Sequence, residues 1–591
     1  MKTLLAAALL LLTTAAASAA ELSAADLDKR RKALADLLHE QWEYTMKTSP
    51  EFASILGDKR YNDQVSDNSE AARLKDVRET KKFLKRFEAI DTAGFSEQEK
   101  LNKELMVRDL KDSLEDYEWR EWEMPVNQMG GIHLFAAQFP SYLTFTSAKD
   151  YDDYITRMKK FPMIMDQTIA TMRKGMRDKL MPPKFLLEKV TGQAQKIADQ
   201  APEQTPFALP LGKFPDSVSE ADRARIRTDF LAAIRTSVLP AYAKFAKFVR
   251  DEYAPAGRTD VGMWSLPKGV ERYNRRIRRS TTTNMTADEI HQLGLREVAR
   301  IEGEMLQIAK KLGYNDLPSF FKAVDQNPDL KAKSREQIID LYRKYTDQMY
   351  AKLPELFGRL PKAKLEVVPM ESFREASAAG ADYNDGAPDG SRPGRVNVNT
   401  SEPQSRKTIS MESTAYHEGV PGHHMQVSIA QELGDLPDFR KQSNYTAYVE
   451  GWALYSERLG KEVGFYQDPY NDFGRLTDEM LRAIRLVVDS GLHAKHWTRE
   501  QVVQFFHDHS AIDEVEVQNE TDRYIVWPGQ ALGYKVGQLK ILELRERARA
   551  ALGDRFDIRQ FHDEVLGAGA LPMDVLEERI DAWIAAKKKA A

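Results

Sequence analysis

Apolar positions along the N-terminal half recur with the three-to-four-residue period of amphipathic helices. The segment ADLDKRRKALADLLHEQWEY sets Leu27, Leu34, Leu37, Leu38 and Trp42 on one stripe, the spacing of a helix with a single buried face. This periodicity is dense from about residue 24 to 255, and strand-like alternation is scarce there. QAPEQTPFALPLGKFPDS, at 200–217, interrupts it with prolines and predicts a long loop between helices. Thr286 followed by Glu289 predicts a capped helix start, after which Ile290, Leu293, Val298, Ile301 and Met305 repeat at helical spacing. SAAGADYNDGAPDGSRPG, at 377–394, is too rich in Gly, Asp and Pro to hold a regular element. RVNVNT then alternates as a strand does and predicts the edge of a small sheet. Helical patterns resume at Ser410 and run to the end. The expected class is therefore mainly α with a small edge sheet.

Composition narrows the picture. The chain has 591 residues, 42% hydrophobic and 30% charged, with Cys 0, which fits a globular protein with a large core and no disulfides. Its first twenty residues, MKTLLAAALLLLTTAAASAA, carry one Lys, a Leu/Ala run and small residues suited to cleavage after Ala19 or Ala20. That is the pattern of a secretory signal peptide, so the mature protein is expected to be periplasmic or secreted. Thr13, Thr14 and Ser18 interrupt the run, which argues against stable membrane insertion. With no Cys after it, a lipid-modified N-terminus is excluded. A net charge of −4 with both signs mixed leaves no nucleic-acid footprint. The division expected is a leader at 1–20, an N-terminal helical lobe at 21–270 and a C-terminal helical lobe at 271–591 that carries the chemistry.

That chemistry centres on AYHEGVPGHHMQ, residues 415–426. Zinc peptidases of the His-Glu-x-x-His type set two His one helical turn apart, with a Glu beside the first to act on water. Here His417 and Glu418 are in place, but one turn on stands Pro421, and the histidines come at 423 and 424. On a straight helix, at about 100° and 1.5 Å per residue, position 423 would lie about 120° from His417 and position 424 about 10 Å along the axis. Pro421 lacks an N–H and clashes with the carbonyl four residues back, while Gly419 and Gly422 tolerate unusual dihedrals. The inserted residues can therefore loop out and return His423, or alternatively His424, to the side of His417. A third ligand is expected from AYVEGWALYSERLG, where Glu450 sits among Tyr448, Trp452 and Tyr455 on a largely buried helix and needs a partner for its charge. Glu457 is the fallback, expected on a wet face beside Arg458 or Lys461.

HEGVPGHH, EGWALY, TTTNMTADEIHQLGLREVARIE and RYIVWPGQALGYKVG resemble the bacterial domain-of-unknown-function family 885 over most of the mature chain. That family is similar in turn to helical zinc peptidases such as thimet oligopeptidase, angiotensin-converting enzyme and the Taq-type carboxypeptidases. The resemblance implies a large two-lobed metallopeptidase-like fold with the sheet beside the active-site helix. It also implies one zinc ion on His417, His423 and Glu450, and Glu418 as general base, with a two-residue insertion before His423. A closed cleft admitting short peptides follows from the same likeness.

Other segments offer substrate contacts. RLVVDSGLHAKHW puts Arg485, Asp489 and His493 at four-residue steps, so an Asp-His pair could fix the imidazole of His493 as an oxyanion donor. Tyr534 could donate to the oxyanion, and Arg523, beside Tyr524, could clamp a substrate carboxylate. Gly529, Gly533 and Gly537, four apart, suit close helix packing. The RVNVNT strand could pair with an extended peptide, Asn397 and Asn399 facing the same way. The expected function is hydrolysis of short peptides through a metal-activated water. The alternatives are an amidase acting on cell-wall or non-standard peptides, and a metal-free periplasmic peptide-binding protein.

Overall fold

In the computed structural model the described residues are 24–370, 375, 379–386, 392–434 and 436–589. The leader expected at 1–20 lies outside them, as does part of the Gly/Asp-rich stretch. The chain is mainly helical with one three-stranded sheet. The helices used below are α1 (Ala24–Thr48), α2 (Ala287–Lys311), α3 (Arg335–Leu356), α4 (Met411–Glu418), α5 (His423–Gln431), α6 (Thr446–Glu462), α7 (Pro469–Ala494), α8 (Glu514–Val526) and α9 (Leu532–Leu552).

Local signals build these elements as the periodicity predicts. On α1, Leu34, Leu37 and Leu38 are buried and His39 is exposed. The Thr286 hydroxyl accepts from the Glu289 backbone at 3.2 Å, and the Glu289 carboxylate accepts from the Thr286 backbone at 2.8 Å. This reciprocal cap removes two orphan donors from the start of α2. The proline-rich stretch at 200–217 is not a plain loop: it winds into two short 3₁₀ turns, Pro202–Gln204 and Pro206–Gly212. Proline's fixed φ suits such turns even where it forbids a longer helix.

The sheet departs from expectation twice. Its order is β1 (Leu365–Pro369), β3 (Gly394–Val398), β2 (Ala381–Asn384), with β1 parallel and β2 antiparallel to β3. The RVNVNT strand is thus central rather than at an edge, and Val396 and Val398 are fully buried. Alternation cannot distinguish the two, because edge status depends on tertiary partners. Second, β2 forms within the stretch expected to be irregular: ADYN is held as a strand by pairing with β3, which overrides its weak intrinsic preference.

Residues 126–254 build a core of their own around Tyr151, Met165, Leu187, Phe230 and Tyr242. Another joins Ile301 and Met305 of α2 to Ile484 and Val488 of α7. The largest lies under the site: Val396 and Val398 of the sheet, Ala415 and Tyr416 of α4, Met425 of α5 and Trp452 of α6 pack together. Helices α6 and α9 approach to backbone contact, since a Cβ on Gly537 would stand 1.8 Å from the Ala447 carbonyl oxygen. Only glycine permits that approach, and it fixes how Glu450 on α6 faces Tyr534 on α9. Among the described residues, no helix is long and apolar enough to cross a membrane.

Candidate metal centre

Helix α4 stops at Glu418 and α5 starts at His423, so the four residues between them form a bulge that contains a cis Val420–Pro421 bond. The Gly422 N–H donates to the Tyr416 carbonyl at 3.0 Å and the His424 N–H to the Gly419 carbonyl at 3.1 Å, closing the bulge against the helix it leaves. A side chain at Gly422 has no room: its Cβ would lie 2.0 Å from the His417 carbonyl oxygen. The Pro421 carbonyl, released from any helical ladder, accepts from Trp452 Nε1 at 2.9 Å and Ser456 Oγ at 3.2 Å. Helix α6, which carries Glu450, thereby holds the bulge in place.

His417, His423 and Glu450 each point one donor atom into a common space, all within 4.8 Å of one another. Glu450 Oε2 lies 3.8 Å from His417 Nε2 and 3.6 Å from His423 Nε2. Donors about 2.0–2.1 Å from one tetrahedral ion stand about 3.4 Å apart, so this set fits zinc with little movement. His424 turns the other way: its Nδ1 meets the Tyr383 hydroxyl at 3.1 Å and its Nε2 the Ala363 carbonyl at 3.2 Å. Glu457 is buried rather than wet, and its Oε1 lies 2.8 Å from His417 Nδ1, with Arg482 3.7 Å away. A proton on Nδ1 donated to that carboxylate leaves the Nε2 lone pair of His417 facing Glu450, the usual outer support of a metal-binding imidazole. Burial drives the His417 pKa well below its ordinary value, which keeps that lone pair available. Burial also pushes Glu418 up to about 7. For Glu450 burial raises the pKa, but the His423 imidazole 3.6 Å away overrides it and holds the carboxyl ionised, with the Tyr534 hydroxyl acting in the same sense.

The donors open on a cavity of about 700 Å³ that Glu418, Tyr534 and Arg523 also line. Tyr534 stacks beneath the Arg485 guanidinium at 4.5 Å and lies 3.5 Å from Arg523. Arg523 is bonded to Glu520 at 3.1 Å and to Gln530 at 2.8 Å. The remaining expected residues are placed differently. His493 is buried away from the cavity, its Nδ1 accepting from the Met263 N–H and its Nε2 donating to the Tyr524 carbonyl, both at 3.0 Å. Asp489 makes no hydrogen bond to it; it accepts from the Tyr273 hydroxyl at 2.6 Å and from the Gly529 N–H. Eight residues on from Arg485, at about 1.5 Å each, His493 has run past the end of the cavity along α7. Tyr524 is buried behind the wall, donating to Glu520 and accepting from Arg485. Asn397 points its amide at Asp382 (2.7 Å), and it is Asp382 that reaches the cavity. Asn399 lines the cavity, but its amide donates to the carbonyls of Glu375 and Ala379 at 2.7 and 3.2 Å.

A family model described as "Bacterial protein of unknown function (DUF885)" matches residues 50–580. The chain belongs to the DUF885 family. This DUF885 chain is similar in structure to one described as "putative lipoprotein from Colwellia psychrerythraea", with TM-score 0.88 and 29% identity, covering 94% of this chain and 100% of that one. It shares its fold with a "putative lipoprotein of unknown function from Shewanella oneidensis", with TM-score 0.72 and 18% identity, covering 92% of this chain and 99% of the other. No curated protein matches it.

Several residues at the DUF885 site escaped sequence reasoning. Asp478 and Arg482 of α7 line the cavity about two turns and one turn before Arg485, on the stripe that Arg485 marks in the sequence. Arg406, from the irregular segment after β3, carries no pattern that could have marked it.

Proposed function

We propose that the chain is an extracytoplasmic zinc-dependent peptidase acting on short peptides. The convergence of His417, His423 and Glu450 beside Glu418, at the wall of a substrate-sized cavity, carries this reading. His417, His423 and Glu450 would hold the ion, with Glu457 orienting His417 through Nδ1. Bound there, zinc supplies Lewis acidity that lowers the pKa of water and polarises a carbonyl. Glu418 takes the proton of the attacking water and returns it to the leaving amine, a task suited to a carboxyl poised near neutrality. The Tyr534 hydroxyl, which lines the cavity with Glu450, would donate to the oxyanion that develops on the substrate carbonyl. Strand β2, rather than β3, has the outer edge on the cavity side, so an extended peptide would pair there. The leader sequence and the lipoprotein descriptions of the structural neighbours support a location outside the cytoplasm, although this chain has no Cys for lipid attachment.

The test is metal analysis of the purified protein together with digestion of a peptide library read by mass spectrometry, with and without chelator. One zinc per chain and cleavage that chelator and Glu418→Gln both abolish are expected. Zinc with cleavage only of cell-wall peptides would favour the amidase reading, and peptide binding without zinc would refute catalysis in favour of a binding protein.

A further inference from the structure

Among the described residues four guanidinium groups border the cavity, those of Arg406, Arg482, Arg485 and Arg523. Three are paired with acids of the protein: Arg482 lies 3.7 Å from both Glu457 and Asp478, and Arg485 and Arg523 share the one carboxylate of Glu520 at 2.8 and 3.1 Å. Arg406 is not. Its Nε and Nη2 donate to the carbonyl and hydroxyl of Ser401 at 2.7 and 3.0 Å. Among the described residues, the acids that act on it, Glu375 and Glu402, do so only through space, and Glu375 is itself bonded to Arg335 at 2.7 Å. Nη1 of Arg406 has no hydrogen-bond partner among the described residues, yet it is not among the buried unpartnered atoms, as Arg485 Nη1 is. It is therefore reached by solvent, and Arg406 lines the cavity.

A part-buried cation without a counter-charge is unfavourable until an anion reaches it, and a guanidinium suits a carboxylate above other anions a peptide carries. Tyr342, Arg406 and Glu418 all line this one cavity. Ile409 and Met411, just beyond Arg406 in sequence, join Val324, Ile338 and Ile512 in an apolar wall at the same cavity. The geometry points to Arg406 as the receiver of the substrate's C-terminal carboxylate, making the chain a carboxypeptidase that favours an apolar terminal residue. This rests on the proposed peptidase function. In the step concerned, water cleaves the last peptide bond: its oxygen joins the acyl carbon, and its proton goes to the amine of the released residue.

The test compares kcat/KM for a peptide ending in Leu as free acid with the same peptide amidated. The wild type should favour the acid by about 10- to 100-fold, the worth of a hydrogen bond to a charged group. Arg406→Gln should bring the ratio near one, and Arg406→Lys, which keeps the charge but not the forked donors, should leave an intermediate ratio. Because each ratio is taken on one preparation, a partly misfolded variant does not distort it. Binding of both peptides to Glu418→Gln, measured by calorimetry, should show the same preference without turnover. Equal use of acid and amide by the wild type, or an unchanged ratio in Arg406→Gln, overturns the assignment. So does full rescue of the amide by an Asp side chain next to the scissile bond, which would mean that Arg406 reads side chains. No cleavage of any peptide overturns the peptidase reading as well, whereas indifferent cleavage overturns only this inference.

Discussion

Gly422→Ala puts the proposed site under a stress whose size the structure fixes. The new methyl carbon would stand 2.0 Å from the His417 carbonyl oxygen and 2.4 Å from that of Tyr416. Both obstacles are backbone, so the bulge must open by about 1 Å to bring the nearer contact to the 3.0 Å limit. That movement breaks the 3.0 Å hydrogen bond from Gly422 to Tyr416. Overpacking of this kind costs about 1–3 kcal/mol and the lost hydrogen bond about 1 kcal/mol, which together predict a loss of about 2–4 kcal/mol in unfolding free energy. His423 is the next residue, and a shift of that size takes it out of the 3.6 Å approach to Glu450. Zinc affinity should then fall more than tenfold and turnover about 100-fold, the usual cost of a 1 Å misplacement. Denaturant unfolding and competition with a chromogenic chelator measure the two effects. Two further variants grade the result. Gly419→Ala meets the Ala415 carbonyl at 2.7 Å and should do less harm, and Gly434→Ala meets nothing within 4 Å and should stay within about 0.5 kcal/mol of the parent. If Gly422→Ala behaves like Gly434→Ala, the bulge does not hold the histidines together and the reasoning fails.

Glu457→Ala removes the acceptor on His417 Nδ1 and should weaken zinc binding by about 10- to 100-fold, whereas Glu457→Gln, which retains a carbonyl acceptor, should lose much less; equal losses in the competition assay would refute the orienting role. Burial pushes Asp489 up to about 7, so the folded chain holds a proton there that the unfolded chain releases near pH 4. The folded state then binds more protons between about pH 4 and 7, and this group's contribution to stability is present below that window and is lost as pH rises through it. The stability difference between the parent and Asp489→Asn should change across that window by up to about 4 kcal/mol, and a flat difference in pH-dependent unfolding would contradict the buried, protonated carboxyl.

Helical periodicity made the class legible, and the clash between Pro421 and helical geometry made the fold-back of a downstream histidine legible too, without choosing between His423 and His424. What the sequence could not display was which neighbour each surface would meet. Nothing in ADYN favours a strand until β3 lies beside it, and nothing in RVNVNT says that both its edges are covered. His493 and Arg485 share a stripe on α7, yet only Arg485 is level with the cavity, because position along a helix axis relative to a cleft is a tertiary quantity. Arg406 is the extreme case: its interest lies in having no acid paired with it among the described residues, and an absence in space has no counterpart in local sequence.

The grip of Trp452 and Ser456 on the Pro421 oxygen uses no atom that would bind the ion. The cradle therefore owes its shape to apolar packing and amide chemistry, unlike small finger domains that acquire form only with their cation. Stripping and reloading should accordingly be reversible exchanges on a standing scaffold, leaving far-ultraviolet dichroism unchanged while occupancy swings from none to full.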